Sequence, residues 1–156
     1  MARDINFSEG NDRFNFRVAV YITHGDEVLV QGSHSAGHHN LIGGRVQMGE
    51  NTYEAITREL KEELNITGVA PHLIQVAENR FDWLGKKVQE LVFIYHLEAE
   101  GEVYDYLKSI KNVIDNDDDY LVWTTKQELK NLKCLPTLIY DLPNLDLKHI
   151  AHTTEG

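Results

Sequence analysis

Hydrophobic and polar residues alternate in the first part of the chain, beginning at Phe14. This period of two residues predicts a β-strand with one buried face. A turn at residues 24–27 and a hydrophobic stretch at 28–30 predict that the chain returns as the second strand of a hairpin. Residues 1–13 are polar and are expected to form an N-terminal arm, either loose or at a sheet edge. The alternating residues on the buried face are Phe14, Phe16, Val18, Val20 and Ile22.

A helix is predicted over residues 52–64, after a loop that contains several histidines and glycines. Asn51 is a suitable N-cap, and Glu54 stands three residues later, where a capping box requires it. Because successive residues of an α-helix turn by about 100°, one stripe of this helix is apolar and can face a core. That stripe consists of Tyr53, Ile56, Leu60 and Leu64.

Three more strands are predicted in the second half of the chain, over residues 72–79, 88–97 and 120–124. A turn at residues 83–86 joins the first two of them as a hairpin. Strands and helices follow one another in a mixed order, which indicates an α+β or layered α/β domain.

The C-terminal part of the chain contains two shorter features. Thr125 and Glu128 have the spacing of a capping box and predict the start of a short helix. Pro136 and Pro143 are expected to bound a last helical or turn segment. Residues 143–156 are then expected to form a C-terminal tail.

Length and charge narrow the class of protein. The 156 residues, of 17.9 kDa, suit a single domain over 1–156 with a real core. The formal net charge is −10, which disfavours a long nucleic acid as partner because phosphate backbones are repelled. A small phosphorylated substrate is still compatible with this charge, since a bound divalent cation can invert the local field.

Cysteine content and hydropathy bear on the compartment. Cys134 is the one cysteine, so no intramolecular disulfide can form, as is typical of a reducing compartment. The first residues have no apolar run of the kind found in signal peptides, and no stretch reaches the length of a membrane span. We therefore expect a cytoplasmic protein with no membrane partner.

Three carboxylates crowd one face of the predicted helix. Glu59, Glu62 and Glu63 share an arc of about 100°, and like charges at these spacings repel one another. A hard cation such as Mg²⁺ or Mn²⁺ relieves this repulsion and prefers oxygen ligands. Arg58 can pair with Glu62, with Glu50, or with both, and so hold the acidic residues in position. A row of glutamates taken alone is more often a solvated helix face.

The joint spacing of glycine, arginine and glutamates is more specific than any of these features alone. Residues 44–66 follow the string G-x5-E-x7-R-E-U-x-E-E-x-N-U, where U is an aliphatic residue. This string closely resembles the Nudix box of the MutT-like Nudix hydrolases, with eight of nine specified positions met. Asn65 replaces the usual glycine, and asparagine is the next-best residue for the left-handed conformation that ends such a helix. The matching residues are Gly44, Glu50, Arg58, Glu59, Leu60, Glu62, Glu63 and Ile66.

The resemblance implies a fold and an activity. It implies the Nudix fold, an α/β/α sandwich with a mixed β-sheet, of the α+β class. It also implies Mg²⁺-dependent hydrolysis, with Mn²⁺ as an alternative ion, of a nucleoside diphosphate linked to another group X. The products are a nucleoside monophosphate and phosphorylated X. Many members are homodimers, and we expect a homodimer on this resemblance alone.

The resemblance also implies roles for residues of this chain. The implied metal ligands are Glu59, Glu62, Glu63 and the carbonyl of Gly43, while Glu50 and Arg58 orient them. The carboxylate that takes a proton from the attacking water is left open between Glu59, Glu90 and an acid in 117–119. The acids at 117–119 are more simply explained as a solvated loop. Glu90 shares a strand face with Val92 and Ile94, so a carboxylate there is explained either by a role in the site or by a strand end that lies in water.

Other residues are weaker candidates. Arg17 and Arg45 are candidates for phosphate binding, and Gly44 for close approach of the backbone to the substrate. Phe81 and Trp83 could stack on a base or belong to a core or dimer interface. The spacing of the three loop histidines is not that of a zinc site, although they could touch a substrate. These are His34, His38 and His39.

The sequence leaves three functions open. The first is hydrolysis of a nucleotide-type diphosphate. The second is hydrolysis of a non-nucleotide diphosphate, such as an isoprenoid or inositol diphosphate, or of an oxidised nucleotide. The third is a non-catalytic nucleotide sensor, which the complete set of helix carboxylates disfavours.

Overall fold

The computed structural model describes residues 3–114 and 116–155. The helices are α1 (Thr52–Leu64) and α2 (Gly101–Ser109), and two 3₁₀ helices follow at Glu128–Asn131 and Thr137–Asn144. The strands are β1 (Asn6–Glu9), β2 (Asp12–His24), β3 (Glu27–Ser33), β4 (His39–Asn40), β5 (Ile42–Arg45), β6 (His72–Trp83), β7 (Lys86–Glu98), β8 (Asn112–Val113), β9 (Asn116–Thr125) and β10 (Ala151–Glu155).

The strands form one mixed sheet around β2. On one side β2 runs parallel to β7, which pairs antiparallel with β6, and β6 runs parallel to β10. On its other side β2 pairs in turn with β1, β5 and β3. The strand β3 pairs with β2 only near their hairpin, and then continues beside β9. Beyond that point the short strand β5 lies next to β2 in place of β3, and it leads the chain directly towards α1.

Each face of the sheet is covered by a layer. The helices α1 and α2 pack on one face, and the two 3₁₀ helices pack on the other. This arrangement confirms the expected sandwich with a mixed sheet, and the layer opposite the α-helices consists of 3₁₀ turns. Alternation along β2 explains both cores, because Val18, Val20 and Ile22 face the α-helices while Tyr21 faces the 3₁₀ helices.

The ends of α1 are fixed by the residues that the sequence indicates. The Asn51 side chain accepts a hydrogen bond from the Glu54 N–H at 2.8 Å, and the Glu54 carboxylate accepts one from the Asn51 N–H at 3.1 Å. Asn65 ends the helix with φ 55°, the left-handed conformation expected there. Ile56 and Leu60 are fully buried, whereas Tyr53 is 42% exposed and belongs to the core only in part.

Several elements differ from the sequence prediction. The polar arm forms β1 beside β2, which agrees with the sheet-edge alternative expected for it. Part of the tail forms β10, which was not predicted, since this segment gains backbone pairing at the sheet without needing an apolar face. The helix α2 was not predicted, because Leu107 is its one fully buried residue. The loop interpretation of residues 117–119 was wrong, since they lie in β9. None of the helices in 3–114 and 116–155 is long and apolar enough to cross a membrane.

Candidate active site

The guanidinium group of Arg58 is the centre of the acidic cluster on α1. It binds the Glu50 carboxylate with two hydrogen bonds, from Nε at 3.1 Å and from Nη2 at 2.7 Å. Its Nη1 donates to Glu59 at 3.0 Å and to Glu62 at 3.2 Å. Its Nη2 also donates to the backbone carbonyl of Arg45 at 3.0 Å, which ties α1 to the end of β5. The Arg58 guanidinium thus contacts three of the four glutamates that the string specifies.

Glu50, in the loop before α1, is held by hydrogen bonds from the helix and from the loop itself. Besides the two bonds from Arg58, its Oε1 accepts a hydrogen bond from the backbone N–H of Gln47 at 2.8 Å. The contact with Arg58 holds the pKa of Glu50 below its usual value, so this carboxylate stays charged at neutral pH. The pair is mostly buried and anchors the loop to the helix.

Glu59 lies directly above the glycine pair of β5. A side chain on Gly44 would place its Cβ about 2.2 Å from Glu59 Oε1, so only glycine leaves room for this carboxylate. The space at Gly44, expected to let the backbone approach a substrate, is filled by Glu59. Gly43 is equally confined, because a Cβ there would lie about 2.1 Å from the carbonyl oxygen of Val18. Burial raises the pKa of Glu59, and the Arg58 charge opposes that rise.

Glu63 is the least compensated carboxylate of the cluster. Its Oε2 is buried and has no hydrogen-bond partner within the described residues. Burial and the neighbouring charge of Glu59 raise the pKa of Glu63 to about 8, while Arg17 acts in the opposite direction. Glu62 differs from it, because 57% of its side chain is exposed and it is bound to Arg58.

The strand β9 brings one of the acids at 117–119 to this cluster. Asp119 is close enough to Glu63 that its charge contributes to the raised pKa of Glu63. It accepts hydrogen bonds from Gln31 at 3.2 Å and from Asn116 at 2.7 Å. Asp118 points elsewhere and binds the hydroxyls of Ser33 and Ser35. Spacing in the sequence could not single out Asp119, because its position depends on the pairing of β3 with β9.

The structure does not bring Glu90 into the helix cluster. Glu90 shares its strand face with Val92 and Ile94, which pack under the 3₁₀ helices, opposite α1. Burial raises the pKa of Glu90, and Arg17 opposes this rise most. The Arg17 charge also acts on Glu59 and Glu63, so Arg17 is close enough to both groups of acids to lower their pKa. Arg45 Nη1 lies 3.7 Å from Asp4 Oδ2. The Arg45 charge also lowers the pKa of Glu90, but less than the Arg17 charge does.

The loop histidines form aromatic contacts with β9. His34 packs against the Tyr120 ring at 4.5 Å between centroids, and His39 Nε2 lies 3.4 Å from the Tyr120 hydroxyl. The side chain of Tyr120 fills the space beside Gly32. These contacts explain two of the histidines as packing residues of the loop. They give no support to a metal site there.

A match to a family model shows which protein family this chain belongs to. The model described as NUDIX domain matches residues 13–135, well over half of the chain. The chain belongs to the Nudix family. It thereby belongs to a family of hydrolases that act on small nucleotide-linked substrates, and the box predicted over residues 44–66 lies within the match. No functionally curated protein matches the chain significantly.

Solved structures agree with the Nudix fold. A mutator MutT protein from Bacillus halodurans has a TM-score of 0.69 and 20% identity, over 90% of this chain and 89% of its own. A MutT Nudix hydrolase from Burkholderia pseudomallei has a TM-score of 0.58 and 22% identity, over 81% of this chain and 95% of its own. A MutT protein from Methanosarcina mazei has a TM-score of 0.53 and 24% identity, over 82% of this chain and 88% of its own. At these identities the likeness shows the fold alone.

Only some of the box carboxylates are placed to bind a hard cation in this arrangement. Within residues 3–114 and 116–155, no three His, Cys, Asp or Glu side chains are gathered as a ready metal site. Glu59 and Glu63 nevertheless offer adjacent carboxylate oxygens, and the unpartnered Oε2 of Glu63 lacks the positive partner that a buried carboxylate needs. Glu62 could join them by leaving Arg58, since its side chain is largely exposed.

We expect the Arg58→Gln variant of this Nudix domain to be destabilised by roughly 2–4 kcal/mol, because it leaves Glu50 buried without its cation. Urea unfolding measures the change. The Lys61→Gln variant is the matched control, since Lys61 is an exposed cation on the same helix, and it should stay within about 0.5 kcal/mol of wild type. Equal stability of Arg58→Gln and wild type would contradict the central role of Arg58.

Proposed function

We propose that this Nudix protein hydrolyses a diphosphate bond in a nucleoside diphosphate linked to another group, with a divalent cation, Mg²⁺ or Mn²⁺. The products are a nucleoside monophosphate and the phosphorylated second group. The observation that carries the proposal is the neighbouring pair of Glu59, which is buried, and Glu63, which is half-buried and whose buried Oε2 has no hydrogen-bond partner within the described residues. Two such groups next to each other are unfavourable unless a positive ion joins them.

The residues of the box divide into holding and positioning groups. Glu59, Glu63 and the carbonyl of Gly43 would hold the cation, and Glu62 would join them. Arg58 and Glu50 position Glu59 through the hydrogen bonds described above. When bound, the cation neutralises the diphosphate oxygens and makes a water more acidic.

Arg17 and Arg45 are proposed as the cationic groups that receive the phosphates. Support comes from Arg17, whose charge reaches Glu59 and Glu63 on α1 and Glu90 on the opposite sheet face. Arg45 stands beside Arg17 in the pairing of β5 with β2. Two neighbouring guanidinium groups can bind a diphosphate through charge-assisted hydrogen bonds.

Among the three carboxylates considered for taking the proton of the attacking water, Asp119 has the most support. Glu59 already accepts a hydrogen bond from Arg58 and is wedged above Gly44. Glu90 lies on the opposite face of the sheet. Asp119 is next to Glu63 without belonging to α1, and burial together with Asp118 raises the pKa of Asp119. A base of raised pKa takes a proton more readily.

The two other functions left open by the sequence would use the same site, but they differ in the substrate bound or in whether it is cleaved. The box handles the diphosphate alone, so a non-nucleotide or oxidised-nucleotide substrate would use the same carboxylates. A nucleotide sensor would bind without cleavage. The cytoplasmic location and the homodimer stay predictions from sequence.

A substrate panel separates these functions. With Mg²⁺, wild type should cleave at least one among sugar nucleotides, dinucleotides, ADP-ribose, nucleoside triphosphates and isoprenoid or inositol diphosphates. Glu63→Gln should lower kcat at least about a hundredfold, because a cation ligand is lost, and chelator should do the same to wild type. Circular dichroism checks the fold, and Glu102→Gln, an exposed glutamate of α2, should keep full activity. Full activity of Glu63→Gln, or activity insensitive to chelator, would refute the proposal.

The role of Asp119 predicts a pH effect. At saturating Mg²⁺, which keeps Glu63 in its charged form, the rate of wild type should rise with pH as the Asp119 carboxyl loses its proton. In Asp119→Asn, kcat should fall by about 10²–10⁴ with KM little changed, and this rise should disappear. The control is Asp117→Asn, which changes an exposed acid two residues away and should keep the wild-type profile. An Asp119→Asn variant with an unchanged pH profile would exclude Asp119 as the base.

A further inference from the structure

The ends of the β1–β2 and β6–β7 hairpins, with turns at residues 10–11 and 84–85, expose one face of the sheet. Two rows of side chains cross this face, since residues in register on adjacent strands point the same way. Phe14 stands two residues before Phe16, which packs in the core of α1, so this is the face that α1 covers further along. The row further from the turns is Phe7, Phe14, Gln89 and Arg80. The row nearer the turns is Asp12, Lys87 and Asp82, and the two rows together are called the hairpin face.

The hairpin face is concave and open to solvent. A cavity of about 850 Å³ is lined by all seven residues of the two rows. Phe7 stacks on Phe14 with 5.4 Å between the ring centroids, but 62% of the surface of Phe7 stays exposed. An exposed aromatic side chain at a concave surface is typical of a place that another molecule covers.

Leu84, in the turn between β6 and β7, is unfavourable in two ways. Its φ of 49° lies in the left-handed region, where glycine or asparagine is preferred over a bulky side chain. In addition 86% of its surface is exposed, so contacts within the chain do not compensate for the strain. The neighbouring β1–β2 turn offers room for such a side chain, because a Cβ on Gly10 would meet nothing within 4 Å. The two turns are joined by Lys86, whose Nζ donates to the Gly10 carbonyl at 3.0 Å.

The charges of the hairpin face are complementary to those of a second copy of the same face. Asp12 and Lys87 stand in register, and within the described residues neither of them forms an ion pair. A twofold axis that runs along the strands between β2 and β7 places β2 of one copy over β7 of the other. Asp12 of each copy then meets Lys87 of the other copy, and Leu84 of each copy lies towards the turn with Gly10.

The net charge also favours this end of the molecule for contact between two copies. Two chains of charge −10 repel each other over most of their surface. Residues 7–14 and 80–89 differ from the rest, because they contain four cations and three acids. The repulsion between two copies is therefore least where these segments meet.

We propose that the hairpin face is an isologous interface between two copies of this chain, with Phe7 and Leu84 as its apolar anchors and Asp12 paired with Lys87 across the twofold axis. Exposed aromatic and aliphatic side chains that enter a cavity of the partner supply most of the binding energy of such interfaces. The contact involves none of the box residues. It gives a surface to the homodimer that the family resemblance alone predicts.

Sedimentation velocity of the full chain tests the apolar anchors. Wild type should change from monomer to dimer between about 5 and 500 µM, because association depends on concentration. Phe7→Ser and Leu84→Asn should each raise the dissociation constant of the dimer about tenfold or more. Ile150→Ser is the matched control, since 60% of the surface of Ile150 is exposed away from the hairpins, and it should leave the constant unchanged. A wild type that stays monomeric, or a dimer that neither variant weakens, would overturn the interface.

The Leu84→Asn variant also separates association from folding. Asparagine suits the positive φ at this position better than leucine does, so the variant should unfold at the same urea concentration as wild type or at a higher one. Weaker association together with unchanged or higher stability would show that Leu84 serves the contact between copies. A Leu84→Asn variant that loses stability and keeps the dimer would contradict this role.

Charge reversal tests the twofold arrangement. Asp12→Lys and Lys87→Asp should each weaken self-association, because like charges then meet across the axis. An equimolar mixture of the two variants should form the heterodimer in preference to either homodimer, since every reversed charge then faces an opposite one, and native mass spectrometry distinguishes the three species. Glu102→Lys, a charge reversal on the exposed side of α2, is the control and should associate as wild type does. A mixture without an excess of heterodimer would refute the pairing of Asp12 with Lys87.

Discussion

The site depends on one guanidinium group that holds glutamates which would otherwise repel each other. Arg58 reaches Glu50, Glu59 and Glu62 and also binds the carbonyl of Arg45, so it joins loop, helix and strand. Arginine suits this position because its planar fork offers five donors in fixed directions. The arrangement leaves Glu63 uncompensated, with its Oε2 buried and unpaired. A bound cation would favour the charged form of Glu63 and supply the partner that its buried oxygen lacks.

The sheet provides the space that this cluster needs. Where β3 leaves β2 to pair with β9, the short strand β5 takes its place and brings Gly43 and Gly44 under the helix. The absence of a side chain at Gly44 lets Glu59 settle against the backbone. The same divergence carries Asp119 on β9 to the side of Glu63. Helix acids, glycines and a distant aspartate thus meet because of the strand order.

The sequence predicted the features that depend on residues close together in the chain, namely the ends of α1 and the contacts within the box. Asn51, Glu54 and Asn65 fix the ends of α1, and the spacing of the box alone indicated that Arg58 pairs with its neighbouring glutamates. Residues whose roles depend on strand pairing were not predictable in this way. Asp119 appeared to lie in a loop, whereas the pairing of β3 with β9 brings it to Glu63. Backbone pairing of a polar segment also explains why β10 was missed.

The most direct test of the cation site is a titration of the protein with Mn²⁺, in which electron paramagnetic resonance reports the free ion. Wild type should bind Mn²⁺ saturably. Glu59→Gln and Glu63→Gln should each weaken that binding about tenfold or more, and Glu102→Gln should bind as wild type does. Equal Mn²⁺ affinity in all four proteins would contradict the account, because the helix carboxylates would then not be what holds the ion.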